Sequence, residues 1–193
     1  MSDIVNGAPG AHAAGLDRRG FLKVGAGFSL ALTLAGTLPG CSDAAKAPAP
    51  GYAFLQPGDV ELFGAIAPVV VTDLAALDPG ERDKRLRETL RNVDATCAAL
   101  DLGSRAELRK LLDLLAIGPL RYVLTGVGSW RDASAETLAA FLARWRGSRF
   151  ATLNAGGIIL VKLVAASYYV IPATFASVGY PGPLEAMYVA VNS

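Results

Sequence analysis

The chain has 193 residues, 52% of them apolar and 18% charged, which is enough for one domain with a real core and too apolar for a disordered chain. Eighteen Lys and Arg against seventeen Asp and Glu leave a net charge of +1, too weak a field to hold a polyanion, which argues against nucleic acid as a partner. The one histidine, His12, lies in the first forty residues, a segment that reads as an export leader; the remainder is neutral and lacks the imidazole needed for Ser-His-Asp or Cys-His catalysis, or for a histidine-ligated zinc or haem.

In chain order, Asp17-Arg18-Arg19-Gly20-Phe21-Leu22-Lys23 precedes a weakly apolar run, Val24 to Leu38, diluted by Gly25, Gly27 and Gly36. A basic stretch before a short apolar run marks a targeting segment, since a spanning helix needs about twenty apolar residues. Through Arg18, Arg19, Phe21 and Leu22 the segment resembles the twin-arginine signal, which implies a bacterial protein exported across the inner membrane already folded, with residues 1–40 as its signal peptide. Leu38-Pro39-Gly40-Cys41 resembles a lipobox. On that reading Cys41 is acylated, and its chains, at about 0.8 kcal/mol per buried CH₂, hold the protein on a membrane. Cleavage after Ala45-Lys46-Ala47 is the competing reading and gives a soluble periplasmic protein. Residues 41–51, rich in Ala and Pro and without periodicity, suit a flexible tether, so the folded domain is expected over residues 52–193.

Pro57-Gly58-Asp59 opens the first predicted helix, which Pro68 should end or kink near Ala67. Asp78-Pro79-Gly80-Glu81 starts a second, with Leu86, Leu90, Val93, Cys97 and Leu100 turned inward and the charged run from Glu81 to Arg91 facing solvent. Cys97 on that stripe reads as a buried, inert thiol with no internal disulfide partner. Ser104 and Glu107 have the spacing of a capping box ahead of Leu108, Leu111, Leu112 and Leu115, and Gly118-Pro119 stops that helix. A short helix over Leu120 to Thr125 and a loop over Gly126 to Ser129 follow. Ser134 caps a helix with Leu138, Phe141, Leu142 and Trp145 on one face. The last long segment, Phe150 to Ile171, is apolar nearly all round and reads as a helix surrounded by others. No stretch alternates as a strand does, so the fold class is all-α, a single bundle of five to seven helices.

Residues for chemistry are scarce. Asp and Glu sit mainly on charged helix faces, where hydration keeps them ordinary, and no glycine-rich phosphate loop follows a strand. Gly126, Gly128 and Gly156-Gly157 read as turns and close helix contacts. Arg144, Arg146 and Arg149 around Trp145 complement the carbonyls of a helix C-terminus, or face an acidic partner or lipid head groups. The C-terminal run is more informative: Tyr168 and Tyr169 end a helix before Pro172, then come Phe175 and the rigid turn Gly179, Tyr180, Pro181, Gly182, Pro183. Such a segment loses little entropy on association and presents tyrosine, a frequent interface anchor; the competing reading is a strap packed on its own domain.

The leader, the early Ala65-Ile66-Ala67-Pro68 and this terminal Tyr-Tyr, Pro, Gly-Tyr-Pro-Gly-Pro sequence resemble the small, or gamma, subunit of membrane-associated FAD-dependent dehydrogenases, the gluconate 2-dehydrogenase small-subunit family. The resemblance implies a non-catalytic periplasmic subunit without a cofactor of its own. It would bind a large flavoprotein of the glucose-methanol-choline type, help it mature and leave the cytoplasm, and anchor it at the inner membrane. FAD belongs to that partner, and some complexes of the family add a cytochrome c subunit. The alternative from the residues is a stand-alone helical lipoprotein that binds an apolar ligand or another envelope protein, favoured by an apolar cavity as the subunit is by an exposed C-terminal patch.

Overall fold

Seven α-helices and a 3₁₀ segment, with no strand among the described residues, make up the computed structural model, which describes residues 47–182. The leader, Cys41 and Pro183 lie outside the described residues. In order the helices are α1 (Pro57–Val70), α2 (Thr72–Ala76), α3 (Pro79–Ala98), α4 (Leu102–Ala116), α5 (Gly118–Thr125), α6 (Ala135–Arg146) and α7 (Ala151–Tyr169), followed by the 3₁₀ segment Pro172–Val178.

Local chemistry sets most helix starts. Asp78 caps α3, its carboxylate accepting from the N–H groups of Gly80 and Glu81, and the Ser134 hydroxyl accepts from Thr137 N–H at the start of α6. Proline opens α1 and α3, where no intrahelical N–H is missed. Gly126 ends α5 at φ 76°, a left-handed conformation that a β-carbon disfavours.

Helices α1 and α7 share the middle, α7 packing on α6, α3 and α1, and α1 also on α6. The core they enclose contains Leu62, Phe63, Ile66, Leu111, Phe141, Trp145 and Leu160, each buried side chain of this size contributing about 1.5–3 kcal/mol. Two glycines set the spacing of α6 and α7. A β-carbon on Gly157 would stand 2.9 Å from Trp145 Cβ and 3.0 Å from the Arg146 nitrogen, and one on Gly156 would stand 3.0 Å from the Trp145 ring. Trp145 fills the space so opened, meets Phe141 edge-on at 5.0 Å and donates from Nε1 to the Leu124 carbonyl at 3.0 Å, joining α6 to α5.

Several expectations are corrected. Helix α1 runs past Pro68 to Val70. The proline falls in the last turn, where one lost bond costs little and buried Ile66, Ala67 and Val71 hold the chain in place. The cap of α4 is Asp101, not Ser104: the Asp101 carboxylate takes the N–H groups of Gly103 and Ser104 three residues earlier, and Glu107 pairs with Lys110 instead. Helix α2 is too short to have a periodicity and was not anticipated. The chain packs before residue 52, because Ala49 is buried and its N–H donates to the Leu55 carbonyl at 2.7 Å. Helix α7 is not enclosed on every side: Lys162, Ala166 and Tyr169 are exposed. By length and composition it is the one helix among the described residues apolar enough to cross a membrane, and it packs on α1, α3 and α6 with 39% of its apolar window buried.

Candidate functional site

The C-terminal segment doubles back at the end of α7. Val170 closes the helix, Pro172 starts the 3₁₀ segment, and the Thr174 hydroxyl donates to the Ile171 carbonyl at 2.8 Å. Gly179 turns the chain at φ 66°, which lets Tyr180 N–H reach the Phe175 carbonyl at 2.9 Å and sets the two rings edge-on at 5.0 Å. Gly182, at φ 93°, is buried beside the Phe175 ring.

The residues expected to meet a partner therefore divide. Tyr168 is inside, where burial, and next the charge of Asp73, push its phenol pKa up while Arg85 opposes them. Phe175 is half-buried and Gly182 buried. Tyr169, Gly179, Tyr180 and Pro181 are exposed, and with them Val170 and Val178, which the sequence did not single out. Tyr168 and Tyr169 meet edge-on at 5.1 Å, so the buried ring backs the exposed one. The segment is at once a strap on its own domain and an apolar surface.

The arginine cluster has no ion pair among the described residues. Arg144 donates to the Leu124 carbonyl of α5 at 3.3 Å and the Arg149 guanidinium lies 5.2 Å from the centre of the Phe150 ring. All three arginines are exposed, as are Tyr122, Val123 and Phe150.

Sequence reasoning placed the acidic side chains on hydrated faces; two of them are in the interior. Asp94, 7% exposed, accepts from the N–H groups of Ala53, Phe54 and Leu55, all at 2.8 Å. Asp59, 2% exposed, takes both arms of Arg109 at 2.6 and 2.9 Å and the Gln56 N–H at 2.8 Å, while Arg109 Nε reaches Asp113 at 2.7 Å. Burial opposes the Arg109 charge, but the bonds and charge of Asp59, then those of Asp113, outweigh it and raise the guanidinium pKa. These groups tie the chain ahead of α1 to α3, and α1 to α4. Cys97 lies in the same region and is buried; burial first, then the charges of Asp94 and Asp59, push its thiol up to about 12, so it stays protonated and unreactive. Among the described residues no three His, Cys, Asp or Glu side chains converge as metal ligands do.

A concave apolar groove of about 440 Å³ opens between α3, α4 and α7, lined by Leu100, Leu108, Ile159, Leu163 and the small Ala165 and Ala166. Thr96 and exposed Lys162 are its two polar lining residues. The sequence offered one signal for it, a single charge in the otherwise uncharged α7.

No protein-family model, curated protein or solved structure matches the chain.

Proposed function

We propose that this chain is a non-catalytic accessory subunit of a membrane-associated FAD-dependent dehydrogenase. Its leader is a cleaved twin-arginine signal ahead of a bundle of five to seven helices, and it binds, helps to mature and export, and anchors a large flavoprotein of the glucose-methanol-choline type on the periplasmic side of the inner membrane. FAD resides in that partner, and a cytochrome c subunit completes the electron path where one is present. The observation that supports the reading is the exposed apolar surface of Tyr169, Val170, Val178 and Tyr180 on a backbone already fixed by the Gly179 turn and the Phe175 contact. A preformed surface of this kind binds without the cost of ordering a loop, and tyrosine is enriched among residues that dominate interfaces.

The test is purification of the tagged protein from mildly solubilised native membranes, with an absorbance spectrum and mass spectrometry of what accompanies it. A stoichiometric large chain with oxidised-flavin absorbance is expected. Replacing Tyr169 and Tyr180 together by Ala removes two exposed rings, and with them the contacts to Tyr168 and Phe175, and should weaken the association by about 2–4 kcal/mol while circular dichroism reports that the helices remain. A protein that elutes alone and colourless from membranes containing the flavoprotein refutes the reading.

A further inference from the structure

Charge is unevenly distributed along the described chain. Residues 47–113 carry eleven carboxylates against eight cations, whereas residues 114–182 carry six cations against two carboxylates, Asp132 and Glu136, with no acidic side chain from Thr137 to Gly182. Of the six cations, Arg131 is paired with Glu61, Arg121 lies over the Trp130 ring and donates to the Val127 and Gly128 carbonyls, and Lys162 stands midway along α7. The other three, Arg144, Arg146 and Arg149, gather where α6 ends and α7 begins. The Asn154 amide donates to the Arg146 carbonyl across that junction, and the Leu124 carbonyl takes both Arg144 and Trp145, which sets the end of α5 beside it. None of the three arginines bonds a carbonyl of α6 among the described residues; the Arg144 bond goes to α5. The same end of the bundle carries Phe150, Tyr122 and Val123, which are 60, 63 and 79% exposed and so are not core, and the Arg149 guanidinium lies over the Phe150 ring.

We infer that this end of the bundle is a docking face for an anionic phospholipid surface, with the three guanidinium groups on lipid phosphates and the Phe150 and Tyr122 rings at headgroup level. Charge complementarity is the first argument. Arginines without a carboxylate partner are drawn to an anionic leaflet, and the guanidinium fork matches a phosphate. The second is what surrounds them. The centre of a protein interface is depleted in charge and built on apolar anchors, whereas cations and exposed rings are interspersed here over the ends of three helices, the mixture that suits a membrane–water interface. The third is placement: α7 has 19 residues, about 28 Å at 1.5 Å per residue, so the arginines and the surface of Tyr169 and Val170 lie at opposite ends of one helix. A bilayer at the first end leaves the second free. The inference holds whether or not a flavoprotein docks at the C-terminal segment.

The experiment is flotation of the purified full chain with vesicles of phosphatidylcholine alone and of phosphatidylcholine mixed with phosphatidylglycerol. Every variant keeps the same leader, so the contribution of the face is read from differences between variants. The parent should prefer the anionic vesicles, and its binding should weaken as salt is raised. Arg144→Gln, Arg146→Gln and Arg149→Gln together should weaken it about a hundredfold, at about fivefold per charge, while circular dichroism stays native. Arg146→Gln with Arg149→Gln keeps the Arg144 bond to α5 and should cost about 25-fold. Arg87→Gln with Arg91→Gln, exposed on α3, removes two charges elsewhere and should change binding by less than about threefold. Phe150→Trp puts a reporter on the face, whose emission should shift to the blue and be quenched by brominated lipid when anionic vesicles bind. Unchanged affinity in both arginine variants overturns the inference, as does an equal loss in the α3 control. Emission of bound Phe150→Trp that neither shifts nor is quenched overturns it too. Binding of polyglutamate without flotation assigns the face to an acidic protein and likewise overturns it.

Discussion

Replacing Asp94 by Ala should destabilise the protein by about 3–5 kcal/mol, because three backbone donors lose one charged acceptor. The Asp94 carboxylate holds three successive backbone N–H groups at 2.8 Å, those of Ala53, Phe54 and Leu55, across about forty residues of sequence. Each bond to an ionised acceptor is worth about 1.5–3 kcal/mol, and each buried donor left without a partner costs about 1–3 kcal/mol. Only the Leu55 bond is fully buried; water reaches the sites of the other two, so the three losses do not simply add. Against a total stability of about 5–15 kcal/mol the loss is large. At roughly 3–5 °C per kcal/mol for a domain of this size, the melting temperature should fall by about 10–20 °C. Asp94→Asn gives a graded comparison. An amide oxygen in the Oδ1 position keeps the Phe54 and Leu55 bonds, but its NH₂ then faces the Ala53 N–H, so the expected cost is about 1–3 kcal/mol. Thermal and urea denaturation followed by circular dichroism measure both, and limited proteolysis of residues 47–56 reports whether that segment detaches first. An Asp94→Ala protein within about 1 kcal/mol of the parent, with the segment still protected, would show that the carboxylate is not what holds it.

Further outcomes follow from the packing. Burial lifts the Cys97 thiol from 9.0 to about 12, so the folded state keeps a proton that the unfolded chain releases. Its contribution is intact below pH 9 and is lost between pH 9 and about 12 at up to about 1.4 kcal/mol per unit, which appears as a steeper alkaline fall in stability for the parent than for Cys97→Ala. Below that window the native thiol should be inert to a thiol reagent until urea exposes it. Gly157→Ala drives a β-carbon to 2.9 Å from Trp145 and should cost about 1–3 kcal/mol in urea denaturation, whereas Gly64→Ala, in the interior of α1 with nothing within 4 Å, should gain about 0.5–1 kcal/mol. Trp145→Phe removes the Nε1 donor from the Leu124 carbonyl and part of the volume beside the two glycines; about 1–3 kcal/mol should be lost, and hydrogen exchange should quicken in α5 before α7.

Much of the helical framework was readable from the chain because its determinants are local. Asp78 followed by Pro79, and Ser134 ahead of Leu138, Phe141, Leu142 and Trp145, place a cap and an apolar face within a few residues of each other, and those helices begin where the pattern says. Gly156-Gly157 read only as one of several turns or close helix contacts, and its place against Trp145 emerged in the structure. Where two local signals compete, as Asp101 and Ser104 do ahead of α4, the pattern does not rank them; the carboxylate wins because it meets the first free N–H groups.

The sequence alone thus determined the all-α class of the described residues, the caps of α3 and α6, the inward stripes of the longer helices and the buried position of Cys97. Tertiary structure decided which charges are interior. Asp59 and Asp94 look like any carboxylates on polar stretches, and they are buried because Arg109, fifty residues from Asp59, and the backbone of residues 53–55 supply their partners. It also decided that Tyr168 turns inward while Tyr169 and Tyr180 face out, and that Lys162 stands on an apolar groove. Helix starts are selected by bonds that span two to four residues, whereas burial and concavity depend on which distant segments meet, and only the packed chain specifies that.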